Sequence, residues 1–165
     1  MALAVLALTA RRAPFALVPA AIAGTLRAAG ETATHLARGE VRTPSARTAR
    51  RGLQVAALHL PQAYDASTGA SAAVRRKAER LWPAVVATER LAYRLLAACW
   101  AAERDGEPAV PGAAGLPATL ADLAAAREGT GPPEEGEPPE FLAEEVAAVR
   151  ESLVRAETEP APDSP

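Results

Sequence analysis

The sequence contains few of the residues from which catalytic and metal sites are usually built. It has one cysteine and two histidines, so an internal disulfide is excluded, and neither His35 nor His59 has neighbours at zinc-ligand spacing. Glycine-rich phosphate loops and a nucleophile elbow are also missing. Glu144 and Glu145 are adjacent, and adjacent residues on a helix do not face each other, which makes them a poor acid–base pair. We therefore expect neither an enzyme nor a cofactor- or metal-binding protein.

Large apolar side chains are scarce as well. Hydrophobic residues make up 49% of the chain but aromatic residues only 4%, and much of the remainder is alanine. Small side chains predict close approach between helices. Arginine is common while Lys77 is the single lysine, a bias typical of GC-rich genomes. Cys99 lies in an apolar helical stretch, where a free cysteine behaves as a small hydrophobic residue.

The sequence contains no complete membrane span. The apolar run of residues 1–10 is about half of the roughly 20 residues that a spanning helix needs, and Arg11 and Arg12 interrupt it. No positive charge precedes the run, as a signal peptide would require. We interpret residues 1–13 as an apolar stub, which is the end of a membrane helix, an interfacial segment or part of the core.

Four segments carry apolar residues at the alternating spacing of three and four that is typical of amphipathic helices. The four stripes are Ile22, Leu26, Ala29, Ala33 and Leu36; Leu53, Ala57, Leu60 and Tyr64; Leu81, Val85, Thr88, Ala92, Leu95 and Cys99; and Leu142, Val146, Val149, Leu153 and Ala156. There is no alternating strand pattern. The sequence therefore predicts an all-α fold, an antiparallel bundle of about four long helices within residues 14–156.

Capping residues and prolines predict where the long helices begin and end. Thr43 and Pro44 fit the N-cap and first position of the second helix, and Ser71 fits the N-cap of the third. Pro61 and Pro83 each remove a helical hydrogen bond. We expect the second helix to end or bend at Pro61 and the third to kink or break at Pro83.

Loops and tails follow from the distribution of glycine, proline and charge. Residues 105–117 are predicted to be a loop, residues 120–127 a short extra helix, and residues 129–138 an acidic Pro/Gly linker. The last long helix is expected to begin at Pro139-Glu140. Residues 157–165 are predicted to form a disordered tail.

Charge is distributed unevenly along the chain. Residues 1–104 contain fifteen basic and six acidic residues, net +9, whereas residues 105–165 contain three and fourteen, net −11. The candidate contact residues in the basic part are Arg11, Arg12, Arg38, Arg42, Arg47, Arg50, Arg51, Arg75, Arg76, Lys77 and Arg80. They fit an anionic membrane surface, or a solvated or internally paired face. Nucleic acid ranks last, since no helix-turn-helix order or aromatic-interleaved basic strand is present.

Three aromatic residues lie along one side of the third predicted helix. Trp82, Tyr93 and Trp100 are spaced by eleven and seven residues, which brings them to a similar angle around a helix. A buried aromatic seam is the favoured interpretation. Contact with a membrane interface, or with a small aromatic ligand, is the alternative.

The segment RRKAERLWPAVVATERLAYRLLAACWAAER, residues 75–104, resembles the soluble helical region of actinobacterial membrane proteins of the fusaric-acid-resistance (FUSC) type. LPQAYDASTGAS before it and PPEFLAEEVAAVRESLVRA after it extend the resemblance over about residues 11–156. The family resembles exporters of aromatic acids, with transmembrane bundles that this sequence lacks. No transport residue therefore carries over to this chain.

The resemblance implies a non-enzymatic helical domain of, or associated with, a FUSC-type transporter at the cytoplasmic face of the cell membrane. Its partner would be the membrane surface or a membrane-embedded transporter portion, and its role assembly, membrane docking or regulation. The alternatives are a cytoplasmic interaction module that forms a homo-oligomer through its alanine-rich stripes, and a binder of small aromatic ligands.

Overall fold

A computed structural model describes residues 17–106, 109–129 and 139–158, and every regular element within these ranges is a helix. The helices are α1 (Leu17–Ala37), α2 (Pro44–Thr68), α3 (Ala72–Asp105), α4 (Leu116–Glu128) and α5 (Ala143–Thr158). The prediction of an all-α fold is confirmed. The described residues form five helices rather than about four, and the additional one, α4, includes the short helix expected over residues 120–127.

Several sequence predictions fall outside the described ranges. These are the apolar stub at residues 1–13, residues 130–138 of the acidic linker, and residues 159–165 of the tail. The predicted start of the tail is wrong, because α5 continues to Thr158. Of the helices that the structure describes, none combines the length and apolar character needed to cross a membrane.

Local sequence sets the beginnings of the helices. Thr43 is the N-cap of α2, and its Oγ1 accepts a hydrogen bond from the Ala46 backbone N–H at 3.2 Å, which satisfies a donor that has no partner within the helix. Ser71 occupies the N-cap of α3 but makes no capping hydrogen bond through its side chain. Only the first of these two caps acts as the sequence predicts.

The last helix begins later than expected. Leu142 has a φ of 59°, a left-handed conformation that excludes it and the residues before it from the helix. Upstream, the Phe141 N–H donates to the Gly112 carbonyl at 3.4 Å. The prediction that α5 opens at residues 139–140 is therefore wrong by about one turn.

Pro61 and Pro83 both lie inside helices that continue through them. Of the alternatives predicted at these prolines, an end of the second helix and a break of the third are wrong, whereas a bend or kink stays a prediction. A proline removes one helical hydrogen bond, but buried side chains continue on both sides of each proline. Leu81 and Val85 flank Pro83 and are both in the core. Packing of the long helices therefore allows both to continue past their prolines.

Helix α1 lies at the centre of the bundle and packs against α2, α3 and α4. It runs antiparallel to α2. The Thr25 hydroxyl donates to the Ala21 carbonyl of its own helix at 2.9 Å, and its oxygen lies 3.3 Å from the Ala56 carbonyl oxygen of α2. Its contact with α4 is close, since a Cβ on Gly30 would lie 3.5 Å from the Pro117 carbonyl oxygen. Small residues on α1 therefore determine how near the neighbouring helices come.

Helices α2 and α3 form an antiparallel pair defined by contacts at both ends. The rings of Tyr64 and Trp82 lie 4.4 Å apart at one end, and Arg50 and Glu103 form an ion pair at the other. Helix α5 packs on α3 and makes fewer contacts with α4. The predicted antiparallel arrangement is present in the α1–α2 and α2–α3 pairs.

Almost all residues of the four predicted stripes lie in the core. The buried members are Ile22, Leu26, Ala29, Ala33, Leu36, Leu53, Ala57, Leu60, Leu81, Val85, Thr88, Ala92, Leu95, Cys99, Val146, Val149 and Leu153. The exceptions are half-buried and lie at the helix ends: Tyr64, Leu142 and Ala156. Helical periodicity thus identifies the core correctly.

Enlarging a buried alanine on α1 is expected to destabilise the fold. Ala29→Leu inserts three carbon atoms where the side chain is fully buried, and we expect the free energy of unfolding to fall by about 1–3 kcal/mol. Ala20→Leu on the same helix is the control, because Ala20 is exposed. Urea unfolding followed by circular dichroism measures both. Equal stability of the two variants would contradict the central role of α1.

Candidate functional site

The structure divides the basic residues between the two ends of α2 and α3. Arg38, Arg42, Arg47, Arg50 and Arg51 lie around the α1–α2 connection, whereas Arg75, Arg76, Lys77 and Arg80 lie at the beginning of α3. Since α2 has 25 residues, the two groups are separated by roughly 35 Å along the bundle. Arg11 and Arg12 lie outside the described residues.

Glu103 gathers three of the arginines at the α1–α2 end, a group that we call the Glu103 cluster. The Arg50 Nη2 atom lies 2.8 Å from Glu103 Oε2, and Arg47 Nε lies 4.0 Å from Oε1. Arg42 donates from Nε and Nη2 to the Glu103 carbonyl oxygen at 3.2 and 2.5 Å. Carbonyls in the last turn of a helix have no partner within it, so these arginines hold the end of α3.

Arg50 is buried, with only 8% of its surface exposed, so it is removed from the candidate contact residues. Its Nη1 atom has no hydrogen-bond partner among the described residues. It borders a tightly packed region, also lined by Thr32, His35 and Cys99, that has no room for a water molecule. The Glu103 cluster therefore joins helices. An open cleft of about 180 Å³ lies beside it, between the α1–α2 connection and the end of α3, and Arg42, Val41 and Ala102 are among its lining residues.

Cys99 lies in the same buried region. Burial raises the pKa of the Cys99 thiol to about 11, with the Arg50 charge acting in the opposite direction and Glu103 adding to the rise. The thiol is protonated at neutral pH, and the thiolate is the nucleophilic form. The structure gives Cys99 a packing role, in agreement with the sequence interpretation.

The beginning of α3 carries the other basic group in a different environment. Arg75, Arg76 and Lys77 are exposed, and the one carboxylate paired with them in the described ranges is Glu79, 3.9 Å from Arg75. Arg80 is half-buried. We call residues 75–77 the basic end.

The beginning of α1 lies beside the basic end. Val18 and Pro19 line one small cleft together with Lys77 and Ala78. The sequence that precedes α1 is apolar and includes Arg11 and Arg12. The chain therefore enters the described bundle next to its exposed basic residues.

The three aromatic residues of α3 are exposed, so the predicted buried seam is wrong. The exposed fractions of Trp82, Tyr93 and Trp100 are 42%, 47% and 48%, and that of Val86 is 44%. Each of these residues follows a buried residue of α3, which turns it by about 100° away from the core. We call these four residues the outer stripe.

Helix α5 is held on α3 by a buried carboxylate that the sequence interpretation missed. Glu145 Oε1 lies 3.1 Å from Arg94 Nε and 3.9 Å from Arg90 Nε, and the Glu145 side chain is only 4% exposed. Arg90 and Arg94 are four residues apart and share a helix face. That spacing was visible in the sequence, but their partner 51 residues away from Arg94 was not.

The described ranges contain no group of three or more His, Cys, Asp or Glu residues able to hold a metal ion. Neither a protein-family model, nor a curated protein, nor a solved structure matches this chain. A functional proposal therefore depends on the two exposed features, the basic end and the outer stripe.

Removing the carboxylate of Glu103 is expected to leave a buried charge without its partner. We expect Glu103→Gln to lower the free energy of unfolding by about 1–3 kcal/mol. The control is Arg47→Gln, whose exposed contact at 4.0 Å is expected to contribute less than about 1 kcal/mol. Chemical unfolding of both variants is the measurement, and a larger loss in Arg47→Gln would refute the assignment.

Alkaline pH is expected to destabilise the fold through Cys99. The pKa of the Cys99 thiol in the folded state, about 11, lies above the ordinary thiol value of 9.0, so the unfolded state loses this proton first. The thiol's contribution to stability is complete below pH 9 and is lost as the pH rises through 11, up to about 3 kcal/mol. Unfolding curves between these pH values test this, and Cys99→Ala should show a smaller decline. An identical decline would contradict it.

Proposed function

We propose that this chain is a non-enzymatic helical domain that docks on an anionic membrane surface through its basic end. The observation that carries the proposal is the exposure of three consecutive basic residues, Arg75, Arg76 and Lys77, at the beginning of a 34-residue helix. Among the described residues, their only close carboxylate is Glu79. This positive charge is therefore available to an external anion.

The helix terminus adds to the attraction. The backbone N–H groups at the beginning of an α-helix carry a partial positive charge, which favours anions. Ser71 does not satisfy them with its side chain. Each basic residue near an anionic leaflet contributes about 1 kcal/mol. Three such residues support weak, salt-sensitive binding.

A second membrane signal is needed for firm attachment, because a single weak signal gives reversible binding. The apolar sequence of residues 1–10, followed by Arg11 and Arg12, precedes α1. Val18 and Pro19, at the beginning of α1, lie beside Lys77. The apolar sequence thus joins the bundle at the end where the proposed electrostatic contact occurs.

The opposite end of the bundle offers less free charge. Arg42, Arg47 and Arg50 all contact Glu103, while Arg38 and Arg51 are exposed. These last two residues supply a matched control for the basic end.

A finer proposal follows from the resemblance to FUSC-type proteins. We propose that the membrane is the cytoplasmic face of the cell membrane, and that the domain assists the assembly or regulation of a transporter there. The resemblance of residues 75–104 to those proteins motivates this proposal. Tagged protein expressed at native level should then co-purify with a membrane-embedded transporter after detergent extraction.

Vesicle binding tests the docking proposal. The full chain is mixed with phosphatidylcholine vesicles that contain or lack phosphatidylserine, and bound protein is measured by sedimentation. We expect binding only to the anionic vesicles, weakening as salt screens the surface charge. Arg76→Glu/Lys77→Glu should reduce the bound fraction at least about fivefold.

The matched control is Arg38→Glu/Arg51→Glu, which changes the net charge equally at the opposite end. It should retain most of the vesicle binding. An equal loss in both variants would show a general effect of net charge and refute docking through the basic end. Binding to duplex DNA but not to vesicles would refute the membrane as partner.

A further inference from the structure

We infer that the outer stripe of α3 is an interface with a second copy of this chain, paired antiparallel about a two-fold axis. The stripe consists of Trp82, Val86, Tyr93 and Trp100, each more than two-fifths exposed. Clustered exposed apolar residues on a soluble domain mark interaction sites. Trp and Tyr are also the residues most enriched at the centres of protein interfaces.

The spacing of this surface is that of helix–helix packing. The exposed or half-exposed residues along it are Glu79, Trp82, Val86, Glu89, Tyr93, Ala97, Trp100 and Arg104. Their intervals are three and four, which is the spacing of residues that face a partner helix. Helix α3 therefore has two seams, one against its own core and one facing outward.

Acidic residues within this seam favour a protein over an anionic membrane. Glu79 and Glu89 lie among the aromatic residues, and like charge would repel an anionic leaflet. In a helix pair, by contrast, Glu79 has a basic counterpart at the other end of the same seam, Arg104. The charges at the two ends of the seam, Glu79 and Arg104, are thus complementary to the same seam on a second copy. Each would exchange an exposed partner of its own helix, Arg75 or Asp105, for the opposite charge on that copy.

An antiparallel pairing centred on Leu91 brings these complements together. Trp82 and Trp100 lie nine residues on either side of Leu91, so Trp82 of one copy meets Trp100 of the other. Glu79 and Arg104 lie twelve and thirteen residues away and meet as opposite charges. A parallel pairing would instead place each of these residues against its own copy, with like charges opposed.

Helix α2 extends the surface near the proposed axis. Leu58 and Val55 are 58% and 52% exposed. The Tyr64–Trp82 and Arg50–Glu103 contacts set the register of the antiparallel helices α2 and α3. At the midpoint between these two contacts, residue 57 of α2 lies level with residues 92–93 of α3. Leu58 therefore lies beside the centre of the outer stripe and adds apolar area there.

The size of the surface indicates a moderate affinity. Helix α3 is about 50 Å long, and a strip one helix wide gives on the order of 500 Å². The α2 edge brings this closer to the roughly 800 Å² per partner of a typical stable interface. We expect a reversible dimer with a dissociation constant of roughly 1–100 μM.

This inference is independent of membrane docking. In the antiparallel dimer the two basic ends lie at opposite ends of the assembly, and the outer stripe contact leaves both uncovered. Dimerisation is also measured without lipid. A failure of either proposal therefore leaves the other standing.

Sedimentation velocity of the full chain over a series of concentrations tests the dimer. We expect the weight-average sedimentation coefficient to rise with concentration toward that of a dimer. Trp100→Glu places a buried charge in the interface and should raise the dissociation constant at least about tenfold. Val154→Glu on α5 is the matched control, since the exposed fraction of Val154, 47%, is close to the 48% of Trp100. Dimerisation of this variant should be unchanged.

Charge exchange tests the antiparallel register. Glu79→Arg and Arg104→Glu should each weaken the dimer, and the double variant should restore it. These positions are 25 residues apart on one helix, about 37 Å, so rescue reports contact between copies. A strict monomer at all concentrations would overturn the inference, as would weakening by Val154→Glu equal to that by Trp100→Glu. A double variant no tighter than the single ones would overturn the antiparallel arrangement.

Discussion

Helix α1 can be surrounded by α2, α3 and α4 because small side chains lie between its large buried ones, Ile22, Leu26 and Leu36. Ala23, Ala29 and Ala33 are fully buried, and Gly30 lies against the beginning of α4. Close packing of this kind compensates for the shortage of large side chains, since dispersion contacts depend on many atoms at short range. The positions of the Glu103 cluster, the basic end and the outer stripe all follow from how α2 and α3 pack on this central helix.

Charge asymmetry is partly satisfied inside the molecule. Arg27 pairs with Glu128, and Arg94 pairs with Glu145, so basic residues of the first part hold α4 and α5 from the acidic part. Arg42, Arg47 and Arg50 hold the end of α3 through Glu103. Exposed pairs contribute little individually, but they decide which arginines remain free. Arg75, Arg76 and Lys77 remain available for a partner because no such carboxylate from another helix meets them in the described ranges.

The sequence predicted the core well and the surfaces poorly. Apolar spacing identified Ile22, Leu53, Ala92 and Val146 as buried positions. It could do so because the helical period is constant, and a window of about a dozen residues is enough to reveal it. The aromatic residues were placed on the wrong side, since Trp82 follows Leu81 and Trp100 follows Cys99, and a shift of one residue turns a side chain from the core to solvent. Pro61 and Pro83 do not end their helices, because tertiary packing outweighs the loss of one hydrogen bond.

By itself, then, the sequence determined an all-α bundle, its buried stripes and the Thr43 cap. It also showed no recognised catalytic motif. These are properties of single segments, set by helical period and local hydrogen bonding. Only the tertiary structure decided which charges pair, that Arg50 is buried while Arg76 is exposed, and that α3 carries a second seam facing outward. Such features depend on which helices meet, and residues as distant as Arg94 and Glu145 come into contact only when the whole chain has packed.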